Sequence, residues 1–477
     1  MLTFPLGRAS EAIILGAGFS KALSEAMPLT DDLGNLVLAV AQANSDIPIT
    51  HRPFENGLFE AWLSRIAEDQ PDLSTVENLA NRMLFQLCSQ SLASVLEDCV
   101  DVALQDRPFD QAWILDLLGT LHARRSTVIT FNQDTLIEFA VGGADLYSWN
   151  QKAWRLDQPQ PRINWWDLID CQPPLPSWRY GFGVPQPTLR LLKLHGSTNW
   201  YWTAGDESGA TTACWFLPGT LPPEEGPDEA EARERELPGR VPLIVPPAAG
   251  KSTYFKTPLL TQLWQNARYA LSRPTVRVGL VGYSIPPTDL VTSGMIRETL
   301  ANRENPDSVF IDIVNPKPGP VRQNLQILGI DPTRIAEVQS VPAFVDQYVA
   351  RAADELVEAF RRRAKSENSE GLLLTGTDVE HSRKVVGFGS VVDGELEIAV
   401  EDSEPPYTGP NIAPIGKAPA LSLRDLLCQL EDSSIRRLVV VTRGEARRPV
   451  VGAADYVRNT GPGDGRWQVL RTARTVA

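Results

Sequence analysis

Three polar residues close apolar runs, the position from which a strand delivers side chains to a crevice rather than to a core. Asn132 and Asp134 end the run that begins at Ser126, and His195 ends the run Leu189–Leu194. Asp134 also suits the N-cap of a following helix, so this pair has a structural reading beside the functional one. Gly196 after His195 lets the backbone come close, and an imidazole with an ordinary pKa of ~6.5 is available as a neutral base. Earlier in the chain, Gly16-Ala17-Gly18-Phe19-Ser20 follows an apolar run and opens a helix. Glycines there permit a tight turn and the close approach of N–H groups to a pyrophosphate. The loop lacks the third glycine of a dinucleotide fingerprint, and no acid is well placed about 20 residues on, so a plain structural turn is the alternative. Gly282-Tyr283-Ser284 and Asn315 end two more runs with a hydroxyl and an amide, which suit ribose recognition or turn chemistry.

Two other chemistries are excluded. Gly250-Lys251-Ser252 imitates the end of a P-loop, but Val245 stands where the first glycine belongs, and Pro246 and Pro247 remove N–H groups that would cradle phosphate. The five cysteines are scattered without a C-x-x-C pair, which argues against a structural zinc and against a disulfide framework. No metal is expected.

The elements that must position these residues are short strands alternating with helices. Strand signals recur at 11–16, 126–134, 189–197, 241–245, 276–284 and 308–315, and helices are expected over about 75–104, 109–122, 259–271 and 345–363. Ser74 and Glu77 form a capping box for the first of these. The pattern predicts an α/β class, a Rossmann-like doubly wound and mostly parallel sheet, with a helical, Trp-rich subdomain. Seven of the 12 tryptophans fall between Trp149 and Trp202, in a stretch too poor in basic residues for a nucleic-acid stacking platform. Residues 1–363 form the expected main domain, with a charged insertion at 203–240. A polar linker at 364–371 leads to a small C-terminal α/β module at 372–477, whose end, from Glu431, carries nine Arg against five acids.

At 477 residues the chain is long enough for two domains. With 45 basic against 59 acidic residues the net charge is −14, which opposes strong direct binding to nucleic acid. No apolar run reaches the ~18 residues of a membrane span, and the N-terminal residues lack the features of a signal peptide. A cytoplasmic protein without membrane partners is expected.

In their order and company these motifs resemble the sirtuin family, in its divergent branch of bacterial anti-phage NAD hydrolases such as the Thoeris and Argonaute-associated effectors. The resemblance spans about residues 10–330. It rests on Gly16-Ala17-Gly18 with Ser20, Thr130-Phe131-Asn132 with Asp134, Lys193-Leu194-His195-Gly196, Gly282-Tyr283-Ser284 with Pro286 and Asp289, and Val314-Asn315. It implies that NAD is the substrate, held at its pyrophosphate by the Gly16–Ser20 loop, Phe19 included. Asn132 and Asp134 would meet the nicotinamide ribose and carboxamide. His195 would be the base at the ribose hydroxyls, and Gly282, Ser284 and Asn315 would hold the adenosine half.

The chain departs from deacetylase sirtuins by lacking the zinc-ribbon cysteines and by carrying Met27-Pro28-Leu29-Thr30 in the cofactor loop. The expected activity is therefore cleavage of NAD to nicotinamide and ADP-ribose or a cyclic isomer. The resemblance implies a latent defence effector that depletes NAD in abortive infection, working as a homo-oligomer or with a partner protein that senses the trigger. A protein deacylase and a non-catalytic nucleotide sensor are the alternatives.

Overall fold

The computed structural model describes residues 11–43, 59–105, 111–124, 126–143, 189–215, 233, 237–248, 251, 254–273, 276–286, 288–304 and 306–351, and seven strand segments between 374 and 469. Strands β1 (Glu11–Leu15), β2 (Thr127–Thr130), β3 (Arg190–Lys193), β7 (Val276–Val281), β8 (Val309–Val314) and β9 (Ile335–Val338) form one six-stranded sheet in the order β3-β2-β1-β7-β8-β9. Every neighbouring pair is parallel. Among these strands alone the order runs third, second, first, fourth, fifth, sixth, so the winding reverses between β1 and β7. This is the doubly wound, Rossmann-like α/β arrangement, whose ligands bind outside the carboxyl ends of the strands at the reversal.

The central strands have near-continuous apolar sequences because both faces are covered. Ile13, Ile14, Ile129, Leu192, Val278, Ile311 and Ile313 are all buried in one core. A second, helical core joins α2 (Thr30–Ala43), α3 (Phe59–Ala67) and α4 (Thr75–Gln105) through Val37, Phe59, Leu63, Cys88 and Leu92. The capping box opens α4 as the spacing predicts: Glu77 N–H donates to Ser74 Oγ at 3.3 Å and Ser74 N–H to Glu77 Oε2 at 2.8 Å. The remaining α-helices among the described residues are α1 (Ala17–Leu23), α5 (Ala112–Arg124), α6 (Leu136–Gly143), α7 (Pro258–Leu271), α8 (Leu290–Ile296), α9 (Pro318–Ile327) and a helical stretch over 341–351.

Two expectations change. The run 241–245 does form a strand, β6 (Val241–Ile244), but it pairs antiparallel with β4 (Gly196–Trp202) in a separate three-stranded sheet completed by β5 (Ala213–Cys214). Only Leu194 and His195 separate β3 from β4, too few for the dozen or more residues of a parallel crossover, so β4 cannot be the next parallel strand of the main sheet. Gly196 makes the reversal at φ +76°. The sixth parallel strand, β9, was not expected from the sequence.

Between 374 and 469 the seven strands β10 (Leu374–Thr377), β11 (Arg383–Val392), β12 (Glu395–Glu401), β13 (Ile412–Pro414), β14 (Arg437–Arg443), β15 (Val450–Arg458) and β16 (Trp467–Val469) form one sheet, paired antiparallel throughout. The helix expected in this module at 421–432, the linker 364–371 and the Trp-rich stretch 144–188 lie outside the described residues. Trp200 and Trp202 are buried in β4. No helix among the described residues is long and apolar enough to cross a membrane.

Candidate functional site

The glycine turn sits at the reversal point, as expected, but its glycines face protein. Gly16 N–H donates to Val281 O and Gly18 N–H to Gly282 O, both at 3.0 Å. A Cβ on Gly16 would lie 2.6 Å from Gly282 O, and one on Gly18 would lie 2.7 Å from Gly282 Cα. Gly282 itself has φ +64° and has no room for a Cβ beside Phe19 N. These three glycines therefore let two chain segments touch backbone to backbone, and two amides expected to face a pyrophosphate are engaged with the last residue of β7 and with Gly282 after it. Phe19 is buried edge-on against Trp113, with ring centroids 5.9 Å apart, so it belongs to the core rather than to a ligand surface. Ala17 and Gly18 keep partial exposure.

Beside the turn lies a hydrogen-bond net centred on an amide and a hydroxyl. Asn132 Nδ2 donates to Gly16 O and to Ser20 Oγ, each at 2.9 Å, and Ser20 Oγ donates to Asp134 Oδ2 at 2.7 Å. Asp134 Oδ1 accepts from Leu136 N at 3.2 Å, so the same carboxylate also caps α6. Both readings of the sequence pair hold at once. With both amide hydrogens of Asn132 engaged, its Oδ1 is the group without a partner among the described residues. The assignment of N and O in this amide follows from that network. Under the net, Lys193 is buried in the core and donates to Asp134 O at 2.5 Å and to Glu138 Oε1 at 2.7 Å. Burial pushes the Glu138 carboxyl up and Lys193 opposes it.

His195 lies in a different setting. It is 7% exposed, with its ring 5.1 Å from that of Phe131 and 6.4 Å from that of Trp264. Phe131 in turn stacks on Tyr283 at 4.5 Å. His195 Nε2 is 3.5 Å from Lys251 Nζ, which is 3.5 Å from Asp289 Oδ2 and 3.9 Å from Glu60 Oε1. Tyr283 donates to Asp289 Oδ2 at 3.4 Å, and Thr292 Oγ1 donates to it at 2.8 Å. Burial, then the Lys251 charge, lowers the His195 pKa to about 3, against a weaker upward pull from Asp289. Burial raises Asp289, but Lys251 and its other partners outweigh it and hold the carboxyl below its ordinary range. Glu60 is raised, chiefly by burial.

The last two expected residues lie on the rim. Ser284 is exposed and Asn315 half-buried, and Asn315 Oδ1 accepts from Lys317 N at 2.9 Å in a local turn. Gly282 N–H donates to Val314 O at 2.9 Å, which places both residues at the same end of the sheet as the glycine turn. No direct contact joins either side chain to the net or to His195 among the described residues. Ile285, beside Ser284, is buried at φ +52°, a strained conformation for a β-branched residue.

Sequence reasoning missed Lys251, Glu60 and Glu138 as parts of the site. Lys251 drew notice only as a failed P-loop, and Asp289 only as part of the family resemblance. No group of three or more His, Cys, Asp or Glu suited to a metal ion occurs among the described residues. The chain matches no known protein-family model and is similar to no curated protein.

Proposed function

We propose that the protein binds NAD across the crevice at the β1–β7 reversal and cleaves its nicotinamide–ribose bond, giving nicotinamide and ADP-ribose or a cyclic isomer. The observation that carries this reading is the Ser20–Asn132–Asp134 net, tied to Gly16 O where this fold class binds nucleotides. The transition state is oxocarbenium-like with a neutral leaving group, so it calls for positioning and for electronegative groups facing the developing charge. Asn132 supplies both: its Nδ2 is locked by two bonds, and its Oδ1 is left to accept from a ribose hydroxyl or an attacking water. The order of the motifs, similar to that of sirtuin-like defence enzymes, adds the expectation of a latent cytoplasmic effector. It would act through a homo-oligomer or a partner, with a low basal turnover that a trigger raises to the point of NAD depletion.

A second reading, a nucleotide sensor without turnover, is favoured by His195: a buried imidazole with a depressed pKa is a weak general base. One experiment separates the readings. The purified full chain is incubated with NAD, with and without an acyl-lysine peptide, and NAD binding and nicotinamide release are both followed. Release without peptide, lost at least a hundredfold in Asn132→Ala, is the expected result. Binding without release supports the sensor, release only with peptide supports a deacylase, and absence of NAD binding rejects the site.

A further inference from the structure

The glycine turn, the Asn132 net and the rim residues belong to the site already described, whereas the cluster around Lys251 was assigned no role by the sequence. Lys251 is 3% exposed and lies within 4 Å of three groups from distant parts of the chain: His195 after β3, Asp289 at the start of α8, and Glu60 on α3. A lysine ammonium has three donors and no acceptor. At the 3.5 Å contact with His195 Nε2 it can only be the donor, so Nε2 must carry the lone pair.

From this geometry we infer that Lys251 is a positioning residue that fixes His195 as the neutral Nδ1–H tautomer, so that His195 serves the site as a hydrogen-bond donor and not as a base. The nitrogen that would act as base is turned to a cation. The nitrogen that bears the proton has no partner among the described residues, although the side chain is more than nine-tenths buried. That nitrogen is not among the buried side-chain polar atoms left without a partner, so it keeps access to the surface, and a ligand oxygen there can accept from it. The groups facing the imidazole are Lys251 and Asp289, with the Phe131 and Trp264 rings on its flanks. Behind them, Tyr283 donates to Asp289, and Glu60 flanks Lys251 from the far side. The two carboxylates hold the ammonium in place, while the ammonium blocks a second positive charge on the ring. A neutral imidazole used as a donor is an established way to polarise an oxygen without moving a proton.

The inference deepens the proposed NAD site, but its decisive test does not depend on turnover. The chain has four histidines, His51, His122, His195 and His381, so ¹⁵N-histidine labelling gives a countable spectrum, with His195→Asn identifying the signal. The expected result is a protonated Nδ1 and an unprotonated Nε2 for His195, unchanged from about pH 5 to pH 8, where an ordinary histidine titrates. In Lys251→Met the same ring should titrate nearer its usual ~6.5, while Lys251→Arg, which keeps a cationic donor, should leave the tautomer as it was. An Nε2–H tautomer in the unaltered protein, or a His195 that titrates across that window, overturns the inference even if Lys251→Met does not fold. Turnover gives a second arm. His195→Asn keeps a side-chain N–H near the Nδ1 position but cannot act as a base. Retention of at least a tenth of the NAD cleavage supports a donor, and the ~10²–10⁴-fold loss typical of a missing base contradicts it. Absence of NAD cleavage in the unaltered chain, together with the expected tautomer, would sink the NAD reading alone.

Discussion

The two halves of the crevice are built on opposite electrostatic plans. Around Asn132 the contacts are short, 2.7–2.9 Å, and run through an amide, a hydroxyl and a main-chain carbonyl to one carboxylate. Around Lys251 they are longer, 3.5–3.9 Å, and run from a buried ammonium to two carboxylates and an imidazole. Short bonds of this kind fix geometry, and the amide and hydroxyl that make them do not titrate. Buried charges at longer range fix protonation states, and through them respond to pH strongly. One half thus holds the Asn132 amide oxygen in place, and the other sets the chemical state of the imidazole.

The backbone contact that joins the halves should give an effect at least as large as any when broken. Gly282 has φ +64°, and its Cα hydrogens face Gly18 and Phe19 main-chain atoms. Gly282→Ala combines left-handed strain with a clash that no side-chain rotation relieves, for an expected loss of roughly 3 kcal/mol or more. Chemical denaturation measures it. A variant as stable as the parent would show that the two halves are not held together here.

Next come the two halves themselves. Lys251→Met removes the cation from between two buried carboxylates, a change that typically costs about 3–5 kcal/mol when one partner of a buried pair is lost. Asn132→Ala leaves a carbonyl and a hydroxyl with fewer partners, at about 1–3 kcal/mol. Their pH dependence should differ in kind. His195 has a folded pKa of about 3 against ~6.5 when unfolded, so between those values the unfolded chain binds the extra proton. The stability contributed is full above about pH 6.5 and is lost as pH falls toward 3. Glu60, raised in the fold, acts oppositely: its contribution is lost as pH rises above its ordinary range. Removing Lys251 weakens the first effect and strengthens the second, so the deficit of Lys251→Met should widen from about pH 5 to pH 7. The deficit of Asn132→Ala should stay flat. Denaturant midpoints at three pH values decide it, and parallel curves for the two variants would erase the distinction between the halves.

The Asn132 half was far more legible in the sequence than the Lys251 half. Asn132, Asp134 and the glycine turn end apolar runs, and a run of four to six apolar residues announces a strand and its carboxyl end. Residues near such ends share a crevice by topology alone. Lys251 follows two prolines in an irregular segment, and its partners Glu60 and Asp289 sit at helix starts far away in sequence. No periodicity links them, because only the folded chain makes them neighbours. The same logic explains β9. Ile335–Val338 has two exposed central residues at the sheet edge, so it lacks the continuous apolar run that announces a doubly covered strand. The antiparallel excursion of β4 and β6 was hidden because a strand's sequence does not state which sheet it joins. Its one signal was the two-residue interval between β3 and β4.

The smallest expected effect is at the rim, where the nucleotide reading and plain turn chemistry make different predictions. Ser284 is exposed, and the Asn315 side chain makes one bond, to the main-chain nitrogen of Lys317. Neither contacts the net or the charged cluster among the described residues, so Ser284→Ala and Asn315→Ala should each change stability by only about 0.5 kcal/mol or less. If these residues hold the adenosine half of NAD, they contribute binding shared equally by ground and transition states. KM should then rise several-fold with kcat unchanged. The same substitutions should leave the His195 tautomer and the pH dependence of stability untouched, since no charge of the cluster is altered. A fall in kcat at constant KM would place these residues with the reacting groups, and unchanged kinetics would reduce both to turn formers. The second outcome would confine substrate recognition to the two halves beneath them, and the first would extend the reacting groups to the rim.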